Sequence, residues 1–196
     1  MYPCVVKFGG SLLDSRNLGA LLEVAGARGA VVAPGGGAFA DAVRVAQREI
    51  GFSDRAAHAM AILAMEQTAL LLADLAPSFA LCATSEEFTG AFAARRPAIW
   101  RPAAMALRAD VPASWDTTSD SLSLWLAMKI GAPRLVILKS AEVQPGGSPD
   151  SWSAAGLVDA GLPTLALGYR GEIACVGPAE PAVLAAALAA PSRIAA

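Results

Sequence analysis

Val5-Val6-Lys7-Phe8-Gly9-Gly10-Ser11 is a short apolar run carrying a lysine, followed by two glycines and a hydroxyl. The apolar run reads as a buried strand. The glycines let the backbone turn sharply and bring N–H groups close to a ligand. Lys7 adds a full positive charge beside those donors. Together they suit an anionic oxygen, most often that of a phosphate. Alone the stretch is a weak signal, because strand-then-Gly-Gly also builds ordinary tight turns. Its meaning depends on the residues downstream.

The pattern repeats. Residues 30–33 read as a second short strand, ending in Pro34-Gly35-Gly36-Gly37, with a helix from about Ala38 to Ile50. Leu18, Leu21, Leu22 and Ala25 place a helix over 17–28, between the two strands. A plain loop would also explain Gly35–Gly37, but their position opening a helix favours anion binding. Two strand–glycine–helix units predict a parallel sheet with helices on its faces. Ligands of such sheets gather beyond the carboxyl ends of the strands. The Lys7 turn and the Gly35–Gly37 turn are thus expected at one edge.

The longest helical pattern spans 53–75 and holds His58, the only histidine. A lone histidine there reads first as structural, and Glu66 as a solvated or capped charge. Strands are expected at 79–83 and 98–100, with a short helix at 85–93 between them and Arg95-Arg96 in a solvated loop. A second informative stretch is Trp115-Asp116-Thr117-Thr118-Ser119-Asp120-Ser121-Leu122, which leads into a helix stopped by Gly131 and Pro133. Helix capping alone accounts for its hydroxyls. Asp116 and Asp120 also offer oxygen ligands of the kind Mg²⁺ prefers. Residues 134–138 form an apolar strand ending in Lys139-Ser140. Beyond it the pattern predicts a loop at 143–151 and a helix at 152–160. Strands at 163–167 and 172–176 come next, joined as a hairpin through Gly168-Tyr169-Arg170-Gly171. A helix is expected at 181–190, then a loose tail.

Composition limits the function classes. The 196 residues are 55% hydrophobic and 16% charged, which suits one domain with a substantial core, here taken as 1–196. A net charge of -2 gives no basic field for nucleic acid or anionic membrane. No uninterrupted apolar run reaches the roughly 18–20 residues of a membrane span. Cys4, Cys82 and Cys175 are too scattered for a metal pair or a disulfide framework, which points to a reducing cytoplasm. Lys7, Lys129 and Lys139 are the only lysines.

Lys7 with its glycine turn, Gly35–Gly37, the Asp120 loop and Lys139 all fall at expected strand ends or helix starts. One edge would then hold two ammonium charges, many N–H donors and a carboxylate. Phosphoryl transfer asks for that set, because charge builds on the oxygens of the moving group. No Walker A or protein-kinase motif is present.

The succession Val-Val-Lys-Phe-Gly-Gly-Ser, Ala-Pro-Gly-Gly-Gly, Thr-Thr-Ser-Asp-Ser and Val-Ile-Leu-Lys-Ser resembles the amino-acid kinase family, which includes acetylglutamate and uridylate kinases. The resemblance implies a three-layer αβα sandwich with a mainly parallel central sheet. It also implies a kinase that uses ATP with Mg²⁺ and forms no covalent enzyme intermediate. A homodimer or higher homo-oligomer is expected. Lys7, Gly9, Gly10, Ser11 and Lys139 would bind the ATP phosphates. Gly35, Gly36, Gly37 and Ser119 would hold the phosphoryl acceptor. Asp120 would organise the lysines and could also ligate Mg²⁺. The stretches 57–67, 115–121 and 158–163 are similar to a short archaeal and methylotroph branch. That branch is similar to the kinase that phosphorylates an aminomethyl-furan-methyl phosphate on the route to methanofuran. One departure stands out: relatives often carry Val-Asp-Gly after the second strand lysine, where this chain has Val143-Gln144-Pro145-Gly146. With a short C-terminal half, this keeps open a non-catalytic anion- or nucleotide-binding member of the same fold.

Overall fold

The computed structural model describes residues 2–189. Its strands are β1 (Val5–Phe8), β2 (Val31–Pro34), β3 (Ala80–Cys82), β4 (Ala98–Trp100), β5 (Arg134–Leu138) and β6 (Glu172–Val176). They form one sheet in the order β3-β4-β2-β1-β5-β6, and every pairing is parallel. The helices are α1 (Leu18–Ala27), α2 (Gly37–Ile50), α3 (Asp54–Leu75), α4 (Ser85–Ala93), α5 (Ala103–Ala106), α6 (Ser119–Lys129), α7 (Pro149–Ala154), α8 (Leu162–Ala166) and α9 (Pro181–Ala189). A 3₁₀ turn covers Gly10–Leu12. Helices cover both faces of the sheet, giving three αβα layers. The tail expected after residue 189 lies outside the described residues.

The central strands are apolar at nearly every position because both faces are covered. Val5, Val31, Leu135 and Ile137 share a core with Leu122, Leu124 and Leu126 of α6. Val6, Phe8, Val136 and Leu138 turn to the other face, against Leu21 and Leu22 of α1 and Leu184 of α9. Helix α6 is buried on several sides, which explains its weak amphipathic pattern. Leu124 is wholly buried there, and its truncation to alanine costs about 2–5 kcal/mol.

The register places the lysines. Lys7 pairs with Ala33 of β2 and with Ile137 of β5. Side chains alternate along a strand, so Lys7, Ile137 and Lys139 face the same side, the side of α6. Lys139 follows β5 directly, and its N–H donates to the Val176 carbonyl at 2.9 Å.

Two expectations beyond residue 140 are corrected. Residues 163–167 are not a strand: Leu162–Ala166 is α8, with Pro163 in its first turn. No hairpin forms, and β6 joins β5 in parallel. A five-residue apolar run does not by itself separate a strand from a buried helical turn. The parallel β5–β6 connection needs a crossover, which α7 and α8 supply. The helix expected at 152–160 lies earlier, at Pro149–Ala154. It is started by a Ser148–Ser151 capping box and Pro149.

Helix α3 has 22 residues and an 18-residue window of mean hydropathy 1.4, long and apolar enough on those grounds to cross a membrane. Here Ala57, Ile62, Met65, Ala69 and Leu72 of α3 are buried in the layers. Glu66 accepts from Arg101 at 2.7 Å and from the Ala103 N–H at 2.9 Å. It is therefore a bonded link to the β4 exit rather than a solvated charge.

Candidate functional site

At the carboxyl end of β1 and β5, both ammonium groups converge on one carboxylate. Lys7 Nζ lies 2.7 Å from Asp120 Oδ1. Lys139 Nζ lies 2.9 Å from Asp120 Oδ2 and 3.1 Å from Oδ1. Lys7 and Asp120 are buried and Lys139 is half-buried. Asp120 is the second residue of α6, where the helix dipole favours its negative charge. Burial pushes its carboxyl up, but the two ammonium groups outweigh this and hold it below its ordinary value. For Lys139, burial and the charge of Lys7 lower its proton affinity by more than Asp120 restores. Two cations and one anion leave the triad one positive charge in excess, an arrangement that favours a further anion.

The glycine turns form the floor beside this triad. A β-carbon on Gly9 would stand 3.3 Å from Lys7 Nζ. The Gly35 N–H donates to the Phe8 carbonyl at 2.7 Å, and a β-carbon on Gly35 would lie 2.6 Å from the Gly10 nitrogen. Gly37 has φ of +52°, a conformation glycine adopts freely. The two turns are thus in backbone contact. Ser11 Oγ reaches Ser140 Oγ at 3.2 Å, linking the first turn to the residue after Lys139.

Beside the floor is a cavity of about 460 Å³. Gly10, Ser11, Gly36, Gly37 and Ser119 line it. Gly35 does not; it packs behind, against the first turn. Arg44, His58 and Trp115 also line it, as do Asp14 and Asp41. Trp115 Nε1 donates to Gln47 Oε1 at 2.6 Å, and the Arg44 guanidinium lies 4.2 Å from the ring centroid. Burial lowers the His58 pKa, and the nearby Ser114 backbone opposes the shift.

Several residues are placed by contacts remote in sequence. His58 faces the cavity, although its helix alone suggests a structural role. Arg96 is not simply solvated: it donates to the carbonyls of Ser78 and Phe79. Asp159 accepts hydrogen bonds from Thr118 and Ser121 at the start of α6. The only sequence signal for Asp159 is a polar residue amid apolar ones near an expected helix end.

The two carboxylates offered as oxygen ligands lie apart. Asp116 is exposed and does not join Asp120. Both Asp120 oxygens accept from lysines. Among the described residues, no group of three or more His, Cys, Asp or Glu side chains is arranged for a metal.

Known proteins share this architecture. The uridylate kinase of Archaeoglobus fulgidus superposes with a TM-score of 0.70, at 16% identity, over 95% of each chain. The UMP kinase of Ureaplasma parvum gives 0.69 at 12% identity, over 94% of this chain and 93% of that one. The UMP kinase of Bacillus anthracis gives 0.68 at 13% identity, over 91% and 88%. At such identities the likeness is one of fold. No curated protein sequence matches the chain. The family model for amino acid kinases, however, matches residues 3–142. That span contains Lys7, both glycine turns, Asp120 and Lys139, and by this match the chain belongs to the amino acid kinase family.

Proposed function

We propose that the chain is an ATP-dependent phosphotransferase that moves the terminal phosphoryl group of ATP onto a small-molecule acceptor in the Gly36–Gly37 cavity. The observation that carries this reading is the convergence of Lys7 and Lys139 on Asp120 beside that cavity. The acceptor oxygen bonds to phosphorus as the bond to ADP breaks, in line and with no enzyme intermediate. Lys7 and Lys139 neutralise charge on the moving group, and Asp120 holds both lysines in place. Gly9, Gly10 and Ser11 direct backbone donors at the ATP phosphates. Gly36, Gly37 and Ser119 hold the acceptor. Magnesium, held by the nucleotide's phosphates, would offset their charge.

The acceptor is a phosphate monoester, and the product a diphosphate. Arg44 and the N-terminus of α2 suit an acceptor that already carries phosphate. The uridylate kinases of similar fold act, by name, on such a compound. The resemblance to the methanofuran branch supports a place in that kind of cofactor synthesis.

The chain also self-associates through α3 in this reading. Met60, Leu63, Leu70 and Leu75 leave an exposed apolar stripe along it, and exposed apolar surface of this kind marks interaction sites.

The test is ADP release with ATP, Mg²⁺ and a panel of phosphate monoesters, including UMP and aminomethyl-furan-methyl phosphate. Lys7→Ala is expected to lose about 10²–10³ in kcat. Tight ATP binding without transfer to any acceptor would overturn the kinase reading.

A further inference from the structure

We propose that Asp159 is the positioning residue for Asp120: it caps α6 from across the fold and so holds Asp120 between the two lysines. The kinetic consequences rest on the kinase reading; the positioning itself does not.

Thr118 precedes the first turn of α6, but its own side chain makes no capping bond. Asp159 makes it instead, from 41 residues away. Asp159 Oδ2 accepts from Thr118 N at 2.8 Å, from Thr118 Oγ1 at 2.8 Å and from Ser121 N at 3.0 Å. Its Oδ1 accepts from the Ser121 hydroxyl and from Leu162 N at 3.0 Å. The Ser121 amide is the N–H that a cap residue's own oxygen would ordinarily take.

The turn that carries Asp159 is itself fixed. Gly161 N donates to the Asp116 carbonyl at 2.6 Å, and a β-carbon on Gly161 would stand 2.7 Å from that oxygen. One carboxylate thus ties down residues on both sides of Asp120. Without it, the first turn of α6 loses its anchor, and Asp120 is held only by the lysines it is meant to organise. Asp159 touches neither ammonium group, so its effect passes through Asp120.

The chain's three lysines make this testable without substrate. Labelled at ¹³Cε, Lys7, Lys129 and Lys139 each yield a titration curve by NMR. Lys139 is faced by Lys7 from β1, Asp120 from α6 and Cys175 from β6. Burial and Lys7 lower its proton affinity, and Asp120 raises it. Drift of Asp120 therefore lowers the Lys139 midpoint. Asp159→Asn is expected to move that midpoint down by about half a pH unit or more. Ser121→Ala moves it the same way by less, and Lys129 stays put. In the assay, Asp159→Asn is expected to lower kcat about 10- to 100-fold, with KM for ATP within about threefold.

A Lys139 titration unchanged in both variants overturns the proposal. If Asp159→Asn does not fold, Ser121→Ala decides alone by the same criterion. If the midpoint moves but wild type transfers phosphoryl to no acceptor, the kinase reading fails and the positioning stands. If kcat falls while the midpoint holds, positioning fails and the kinase reading stands.

Discussion

Gly10 and Gly37 meet backbone to backbone: a β-carbon on Gly10 would stand 2.3 Å from the Gly37 Cα and 2.4 Å from its nitrogen. The atoms in the way are main chain, so no side chain can swing aside. Gly10→Ala must push the two turns apart, and it is expected to destabilise by at least about 1–3 kcal/mol, the usual range for overpacking. Gly19, inside α1, has nothing within 4 Å of where its β-carbon would lie. There, alanine is expected to stabilise by roughly 0.5–1 kcal/mol. Urea midpoints of the two variants check the contrast, and equal shifts would refute it.

Lys139 sets a pH limit. Burial and Lys7 hold its proton affinity below the ordinary lysine value of 10.5. It is charged at low pH and loses the charge as pH rises through this lowered value. Activity is therefore expected to decline on an alkaline limb with a midpoint below 10.5. Lys139→Arg keeps a charge that does not titrate, so the same limb should vanish, at reduced kcat. A limb that persists in the arginine variant would assign it to another group.

His58 and Trp115 line the cavity proposed to hold the acceptor. His58→Ala removes a polar side chain from the cavity wall. It is expected to raise acceptor KM about tenfold, equivalent to about 1.4 kcal/mol, with KM for ATP little changed. Steady-state kinetics with each substrate varied in turn separates the two. Equal effects on both constants would place His58 outside the acceptor wall.

The stripe on α3 predicts the assembly. Leu63 and Leu70 are 47% and 51% exposed. Replacing both by glutamate puts charge on the proposed contact while sparing the buried face of α3. Sedimentation velocity is expected to show wild type as a dimer or larger and the double variant as a monomer. Identical sedimentation would exclude α3 as the contact.

The central sheet was legible because its signals are local. The apolar runs at 5–8 and 134–138, each tied to a lysine, mark two strand ends without any knowledge of the rest of the fold. The glycine turns and the polar entry to α6 are equally local. Their convergence followed from one topological rule about parallel sheets. The failures come from long-range contacts or ambiguous short runs. Residues 163–167 are apolar enough for either a strand or a buried helical turn, and only the crossover to β6 decides. Asp159 meets Thr118 across 41 residues, and Glu66 meets Arg101 across 35. Neither partner is visible in a local window.

The strand order carries a consequence for synthesis. The central strand β1 gains β2 once residues 31–34 have emerged, but β5 only after residue 138. At about 5–20 residues per second, β1 waits roughly 5–20 s on the ribosome with one edge open. An open strand edge is a template for pairing with the wrong chain. Truncated nascent chains that stop short of β5 are thus the aggregation-prone species. Lys139 is delivered by the strand that closes this window, so the protein gains its charged centre in the same step that removes its most vulnerable edge.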